Sequence, residues 1–230
     1  MIFKGDFHIH TCLSPCADIT MVPGTVASAL EKVGTEWVAI TDHNSCGNVK
    51  VFEKVLNLRG IKVMPGIEVQ TIEEVHVLVY LKSAKVAMDF SNEIREHLPD
   101  IENDPERFGY QLFVNKNDEF IGMENVMLSA STDLTINDLW HMVKRYNGLF
   151  VYAHVDRMFG VVKQLGFIPD NPPFDAVEAI GNVNVNSTIL RSSDAHSLSQ
   201  IEKAKMRVKA DSRTFDEFRK ALMRKDMWKF

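Results

Sequence analysis

The chain has 230 residues, of which 45% are hydrophobic and 25% are charged, a composition typical of a soluble globular protein with a sizeable core. Its formal net charge of −5 provides no broad basic surface, so we expect no extended binding to duplex nucleic acid. There is no long apolar run and no signal segment, and the three cysteines suit a reducing compartment. These features predict a cytoplasmic protein without a membrane partner.

Short apolar or β-branched runs alternate with helix-like stretches along the chain. The predicted strands cover residues 2–9, 36–41, 62–69, 75–81, 149–153, 176–180 and 189–193. The predicted helices cover residues 23–34, 48–58 and 135–148, and a last one follows the capping-box pair Thr214 and Glu217. This alternation predicts an α/β fold built from βα units around a parallel sheet.

One polar and irregular segment interrupts this alternation between residues 97 and 134. Within it, the stretch YQLFVNKNDEFIGM predicts a β-hairpin that turns at residues 115–118. We interpret the segment as an insertion that forms a lid or an interface, with a plain surface elaboration as the alternative.

The stretch DFHIHT, residues 6–11, places two histidines on alternate positions of the first predicted strand. Side chains two positions apart on a strand point to the same face, so His8 and His10 would face one point while Phe7 and Ile9 pack on the other side. Two imidazoles directed to one point suggest a metal site.

Further histidines and acidic residues lie within or at the end of predicted strands. The whole set is His8, His10, Asp42, His43, Glu68, His76, His154, Asp194 and His196. Because the ends of strands converge in α/β folds, this set predicts a single site. Taken one at a time, His76 could be a core residue, and Asp42 or Asp194 could cap a turn.

Imidazoles with carboxylates suit zinc, manganese or iron(II). The predicted ligands outnumber those that one ion needs, which implies two or three ions that share a bridging carboxylate. Such centres stabilise the attacking and leaving oxygens of phosphoryl transfer, so the pattern indicates hydrolysis of a phosphate ester. A rival interpretation is a structural zinc or iron–sulfur site at Cys12, Cys16 and Cys46, although it falls one thiolate short of the usual four.

Read in order, the segments DFHIHT, AITDHN, GIEV, VHVLVY, YAHVDR and SDAH resemble the successive motifs of the polymerase and histidinol phosphatase (PHP) superfamily of metal-dependent phosphoesterases. The resemblance runs from residue 6 to 196 and leaves only the region 85–135 unmatched. It implies a single PHP domain over residues 1–230 with an insertion at about 85–135. The implied fold is a distorted seven-stranded (β/α)7 barrel with three metal ions at its mouth.

The resemblance also implies a division of the ligands among the ions. The implied sets are His8, His10, Glu68 and Asp194 for a first ion, Glu68, His76 and His154 for a second, and His43 and His196 for a third. The third ion needs one more ligand from the loop after the first strand, where this sequence lacks the histidine of the family. Asp18 is our choice because Pro23 follows it, as a proline often follows the loop aspartate in short family members. Cys16 is the alternative, and its thiolate would favour zinc or iron.

The mechanism that the resemblance implies is in-line attack on phosphorus by a metal-bridging hydroxide. Arg157, three residues after His154, is the candidate for binding the substrate phosphate, with a solvated arginine as the alternative. The leaving group would be protonated by Asp18, by His196 or by water.

The predicted substrates are a small phosphomonoester, a nucleotide or the end of a short oligonucleotide. One alternative is a non-catalytic metal-binding module that regulates a partner, although degenerate members of the family typically lose ligands. Another is a C–N hydrolase of the amidohydrolase type, which usually adds a carbamylated lysine as a bridging ligand. No lysine ends a predicted strand in the right place, and Glu68 fills the bridging role.

Overall fold

Strands and helices alternate along the chain in the computed structural model, which describes residues 1–201 and 206–229. The strands are β1 (Ile2–Ile9), β2 (Trp37–Ile40), β3 (Lys62–Gln70), β4 (His76–Tyr80), β5 (Leu112–Val114), β6 (Phe120–Met123), β7 (Leu149–Tyr152), β8 (Ala176–Glu178), β9 (Thr188–Leu190), β10 (Met206–Lys209) and β11 (Met227–Lys229). The helices are α1 (Pro23–Lys32), α2 (Val49–Leu58), α3 (Ala84–Glu96), α4 (Pro105–Phe108), α5 (Ile136–Arg145), α6 (Val161–Leu165), α7 (Leu198–Ile201) and α8 (Phe215–Arg224). Over this part of the chain, no helix has the length and apolar character that crossing a membrane requires.

A nearly closed, barrel-shaped sheet confirms the predicted α/β barrel. In the described residues it has nine strands in the order β11-β10-β1-β2-β3-β4-β7-β8-β9. A parallel bridge between Ile9 and Ala195 joins the segment after β9 back to β1. The expected number of seven strands is not confirmed, because β10 and β11 pair antiparallel beyond β1. These two strands, MRVK and MWK, contain no continuous apolar or β-branched run of the kind by which the other strands were predicted.

Strand β4 departs from the predicted parallel sheet. It runs antiparallel to both β3 and β7. The connection from β3 is a tight turn, closed by a 3.0 Å hydrogen bond from the Thr71 amide to the Val75 carbonyl, whereas a parallel crossover needs a dozen or more residues. As a result the first residue of β4, His76, pairs with Gln70 at the rim where the neighbouring parallel strands end.

The two faces of the sheet pack against different partners. In β3, Val63 and Ile67 face outward into the core under the helices, whereas Met64 belongs to the cluster inside the barrel. Glu68 lies four positions after Met64 on the same strand, so its side chain points to the same inner face. It therefore lies above the inner cluster, at the rim. The alternation of β3 therefore directs one acidic side chain into the mouth of the barrel.

Helix α8 closes the opposite end of the barrel. Its residue Phe218 lies 4.6 Å from Phe7, 5.4 Å from Tyr80 and 5.5 Å from Trp37, measured between ring centroids. All four side chains are buried. The lower half of the interior is thus filled by aromatic and aliphatic groups, and polar side chains collect at the upper rim.

A β-bulge in β1 changes the direction of the first two site histidines. Asp6 pairs with Val38 and Ile9 pairs with Ile40, so two residues of β1 lie opposite a single residue of β2. Phe7 therefore belongs to the inner cluster, while Ile9 belongs to the outer one. The expectation that Phe7 and Ile9 share a face is wrong, because the extra residue breaks the two-residue period.

The predicted hairpin is formed by β5 and β6 and supports the loop after β1. The Leu112 amide donates to the Cys12 carbonyl at 2.8 Å, and Asn48 Nδ2 donates to the Leu112 carbonyl at 3.0 Å. The surrounding segment also contains α3 and α4, which were not predicted. That residues 85–135 are an insertion in a single PHP domain stays a prediction.

We predict that Gly109→Ala destabilises the fold by about 1–3 kcal/mol, because Gly109 has a φ of 97° and a Cβ there would overlap the Pro15 carbonyl. The measurement is the free energy of unfolding in urea. Gly122→Ala is the matched control: its Cβ would meet Phe113 at an ordinary 3.7 Å, so its effect should stay within about 0.5 kcal/mol. Equal stability of the two variants would contradict the close approach of this segment to Pro15.

Candidate metal centre

Most of the predicted site residues converge on a cavity of about 300 Å³ at the mouth of the barrel, and Asp18 and Asp42 are not among the described residues that line it. In the described residues it is lined by Cys16, His43, Glu68, His76, His154, Arg157, Met158, Phe159, Asp194 and His196. His8 and His10 lie beneath it and are fully buried. Six strands and the loops beside them therefore bring polar side chains to one place.

Glu68 occupies the centre of the cluster and is fully buried. Among the described residues, five imidazoles have a nitrogen within 3.4 Å of its oxygens: His8, His76 and His154 at Oε1, and His10 and His43 at Oε2. The two oxygens thus face different groups of nitrogen donors. This is the arrangement that a bridging carboxylate requires.

The imidazole of His154 reaches Glu68 through an uncommon backbone conformation. Ala153 faces the interior, so a regular strand would turn the next side chain outward. His154 instead has a φ of 23°, and its Nε2 lies 3.0 Å from Glu68 Oε1. Asp194, after β9, also has a positive φ, of 50°. Conformations of this kind in residues other than glycine cluster at functional sites.

Asp194 faces the first pair of histidines on one side and an arginine on the other. Its Oδ1 lies 3.2 Å from the Nε2 atoms of both His8 and His10, which are themselves 3.0 Å apart. Arg157 donates to Asp194 Oδ2 at 2.8 Å. One carboxylate oxygen is therefore held in place while the other is directed at two imidazoles.

Three groups of ligand atoms are close enough to hold an ion. Within residues 1–201 and 206–229, the atoms of each group lie within 4.8 Å of one another, and the groups are His8, His10 and Asp194; His10, His43 and His196; and His43, Glu68 and His76. His10 and His43 each belong to two groups. The cluster is thus continuous across the rim.

Asp18 and Cys16 lie in different environments. Asp18 is exposed, and its carboxylate accepts a 2.8 Å hydrogen bond from the Thr20 amide. Among the described residues, Cys16 lines the cavity and Asp18 does not. Burial would raise the pKa of the Cys16 thiol, but the charge of His43 and hydrogen bonds with His196 and His43 lower it to about 5. The geometry therefore favours Cys16 as the loop residue that faces the site.

The rival cysteine site has no support in the geometry. Cys12 and Cys46 are buried, and their thiols donate to the Leu112 carbonyl at 3.6 Å and to the Gly66 carbonyl at 3.3 Å. Burial raises the pKa of Cys12 to about 12 and also raises the pKa of Cys46. Both thiols are packed into the core and stay protonated.

Residues that sequence reasoning missed hold the imidazoles in place. His8 Nδ1 donates to Glu178 Oε2 at 2.9 Å, and His76 Nε2 donates to Gln70 Oε1 at 3.3 Å. In each ring the other nitrogen then faces the centre of the cluster. Outer partners of this kind orient metal-ligating histidines. The one available signal was Glu178, an acidic residue inside the apolar run AVEAI.

A second chain of hydrogen bonds fixes His10. Its Nδ1 donates to Ser14 Oγ at 2.9 Å, and Ser14 Oγ donates to Asp42 Oδ1 at 2.7 Å. Asp42 also accepts from the Thr11 amide at 2.6 Å and the Thr11 hydroxyl at 2.7 Å. Asp42 thus anchors the loop after β1 and does not face the cavity.

The charges of the cluster are strongly coupled. Burial would raise the pKa of Glu68, but His76, His8 and His43 hold it well below its usual range. Burial lowers the pKa of His76 to about 4, despite the attraction of Glu68. Burial would also lower the pKa of His8, but Asp194, Glu178 and Glu68 raise it well above its usual value. Positive charge at this point is therefore strongly favoured.

The donors fit divalent metal ions. Glu68 Oε2, Asp194 Oδ1 and His154 Nδ1 are buried and have no hydrogen-bond partner in the described part of the chain. Buried polar atoms without partners are rare in native structures, and an ion is one common reason for them. A set of imidazoles and carboxylates matches zinc, manganese or iron(II).

Solved structures share this fold. Endonuclease Q from Pyrococcus furiosus matches with a TM-score of 0.71 and 19% identity over 96% of this chain and 56% of its own. Endonuclease Q bound to a 27-mer duplex with an abasic lesion at the active site matches equally well, over 97% of this chain and 57% of its own. A Bifidobacterium adolescentis protein assigned as a metal-dependent phosphoesterase has a TM-score of 0.56 and 15% identity over 96% of both chains. This chain spans little more than half the length of the endonuclease Q chains.

We expected no extended binding to duplex nucleic acid, and this expectation is wrong. The same fold occurs in endonuclease Q, which binds a 27-mer duplex. Net charge is a sum over the whole surface, whereas contact with a duplex depends on the charges beside the site and on any further domains. The value of −5 therefore does not decide the question.

No curated protein matches the sequence. The model of the PHP domain family matches residues 6–168, a range that contains every proposed ligand except Asp194 and His196. The chain belongs to the PHP domain family.

Proposed function

We propose that the chain is a metal-dependent phosphoesterase. The observation that carries the proposal is the buried Glu68 carboxylate, whose two oxygens face separate groups of imidazoles at the mouth of the barrel. Membership of the PHP family supports the same chemistry. We expect two or three divalent ions, which are zinc, manganese or iron.

The proposed ligands follow the division that the family resemblance implies. The observed groups of atoms overlap with this division but do not coincide with it, because His10 groups with His43 and His196, and His43 groups with Glu68 and His76. The proposed ligands are His8, His10, Asp194 and Glu68 at a first position, Glu68, His76 and His154 at a second, and His43 and His196 at a third. When bound there, divalent ions would lower the pKa of a bound water and neutralise charge on the phosphoryl oxygens. The outer partners Glu178, Gln70 and Ser14 keep the ligating nitrogens directed inward.

Arg157 is the proposed phosphate-binding residue. Its side chain is 37% exposed at the edge of the cavity, and one of its terminal nitrogens donates to Asp194. Arg157 Nε is buried, so the terminal nitrogens are the donors that would bind phosphate oxygens in bidentate fashion. Arg157 would therefore position the ligand Asp194 and bind the substrate at the same time.

The proton for the leaving group has two expected protein sources. Asp18 is exposed, and in the described part of the chain it does not line the cavity, so the proposal drops it as a donor. His196 lines the cavity, but its Nδ1 donates to the Asp194 carbonyl at 2.8 Å. An ion at Nε2 would leave His196 no proton to give, so water is then the donor.

The size and lining of the cavity bear on the substrate. A volume of about 300 Å³ is at the lower limit of ligand pockets, so a phosphate and its neighbouring atoms fill it. Met158 is 74% exposed at its edge, and Phe159 stacks on His76 at 4.9 Å. An apolar edge beside the phosphate site suits a sugar or base, which favours nucleotides and oligonucleotide ends among the phosphate esters.

DNA is the second candidate substrate, because endonuclease Q shares the fold over nearly the whole of this chain. The regulatory alternative is disfavoured by the number of ligand groups present. The amidohydrolase alternative lacks its bridging lysine: among the described residues, no lysine lines the cavity.

The central test is the Glu68→Ala variant in an activity screen of metal-reconstituted protein. The screen uses phosphomonoesters, nucleotides, short single strands and a duplex with an abasic site. We expect the variant to lose bound metal and at least about a hundredfold in turnover, because one carboxylate serves two positions. Glu31→Ala, a surface change on α1, is the matched control. Unaltered turnover in Glu68→Ala would remove the hydrolase proposal.

Replacing Arg157 tests substrate binding. We expect Arg157→Lys to lower kcat/KM by about 10- to 100-fold, because lysine keeps the charge but loses the bidentate geometry. Elemental analysis should show metal content close to that of the unaltered protein. Arg145→Lys, on the surface of α5, is the control. Unchanged kinetics in Arg157→Lys would mean that this arginine is only a solvated side chain.

Metal binding should release protons. Burial would lower the pKa values of His8 and His43, but the negative charges of Asp194, Glu178 and Glu68 beside His8, and of Cys16 and Glu68 beside His43, raise both well above the usual value. The second ring proton is therefore favoured in the metal-free protein. An ion binds only the neutral ring, so apparent affinity rises with pH until these protons are gone. Calorimetry of zinc binding in two buffers of different ionisation enthalpy measures the release. His97→Gln, which alters a histidine paired with Asp133, should leave it unchanged. Equal binding enthalpies in both buffers would contradict the prediction.

A further inference from the structure

The loop after β1 presents one thiol to the cavity in a fixed position. Ser14 is tied to Asp42, and Gly109 packs against Pro15. The Ala17 amide donates to the Ser14 carbonyl at 3.0 Å and closes a turn around the intervening residues. Cys16 is thus held from both sides, with its thiol on the cavity lining and the rest of the residue exposed to solvent.

Cys16 faces a group of imidazoles that could hold an ion. Its side chain lines the same cavity as His43 and His196. One ligand atom of each of these histidines and of His10 lies within 4.8 Å of the others. The thiol therefore adds a sulfur donor beside these histidines at the outer edge of the cluster.

A second observation at the same corner points to a cation. Glu68 Oε2 is fully buried and, among the described residues, has no hydrogen-bond donor. It lies 3.0 Å from His43 Nδ1 and 3.3 Å from His10 Nε2. A buried carboxylate oxygen left unpaired beside imidazole nitrogens is costly unless a positive charge sits between them.

We infer that the Cys16 thiolate is the third protein ligand, with His43 and His196, of a metal position at this corner. The inference rests on the proposed function, since it completes one position of the same centre. Three protein ligands leave a fourth place open for water or a substrate oxygen, as catalytic zinc sites do. Asp18, the other loop residue considered, has its carboxylate engaged by the Thr20 amide.

A thiolate changes which ion this corner prefers. Soft sulfur ligands favour zinc, cobalt(II) or iron(II) over manganese, whereas the two inner positions offer only nitrogen and oxygen. The centre is therefore mixed in character, with one position that selects against manganese. That position is also the one that a thiol-modifying reagent can reach, because Cys12 and Cys46 are buried.

Cobalt(II) binding to the full chain tests the assignment without using activity. A sulfur-to-cobalt charge-transfer band in the near ultraviolet should appear in the reconstituted wild-type protein. It should be absent from Cys16→Ser and Cys16→Ala, and each variant should hold one fewer ion per chain. Cys46→Ala and Asp18→Asn are the controls, and both should keep the band and the ion.

Thiol alkylation gives an independent measurement. N-ethylmaleimide should label Cys16 in the metal-free protein, with the site located by peptide mass spectrometry. Zinc should slow that labelling by about tenfold or more, because a bound thiolate is not free to react. The same protection is expected in Asp18→Asn.

Two results would overturn the assignment: a charge-transfer band that persists in Cys16→Ser, or a band lost in Asp18→Asn but kept in Cys16→Ser. Absence of any band from cobalt-loaded wild-type protein would do the same. Failure of the proposed function looks different. In that case the wild-type protein binds cobalt through Cys16 but hydrolyses none of the screened phosphate esters.

Discussion

The architecture of the rim depends on the contact between one buried carboxylate, Glu68, and five imidazoles. A carboxylate without water around it is costly to bury unless positive charge is supplied nearby. Here the charge comes from protonated histidines or from ions that replace their protons. The packed aromatic floor around Phe218 fixes the strands, so each imidazole is held in place relative to that carboxylate.

Much of the barrel could be predicted from the sequence, because runs of apolar and β-branched residues mark the strands of its main wall, which are β1, β2, β3, β4, β7, β8 and β9. The direction of β4 could not be predicted from that pattern. Hydrophobic runs are the same in parallel and antiparallel strands, and only the short link through Thr71 and Val75 decides between them. Strands β10 and β11 were missed because charged residues interrupt their short apolar sequences, MRVK and MWK.

The proposed ligands could be chosen from the sequence by residue type, since several histidines and acids at strand ends are rarely all there for packing. Their supports could not. Ser14 and Gln70 are ordinary polar residues whose importance comes from local contacts with His10 and His76, and those contacts depend on the path of the loop after β1 and of the turn between β3 and β4. The choice between Asp18 and Cys16 likewise depends on the path of a loop, which residue spacing leaves open.

Because of the bulge in β1, the number of residues in that strand matters for the site as much as their chemical type does. With two residues of β1 opposite one of β2, Phe7 and the adjacent His8 both serve the inside of the barrel. Deleting one residue there would restore regular pairing and turn either the aromatic anchor or the imidazole toward the helices. Natural variation in this stretch should therefore tolerate changes of side chain more readily than changes of length.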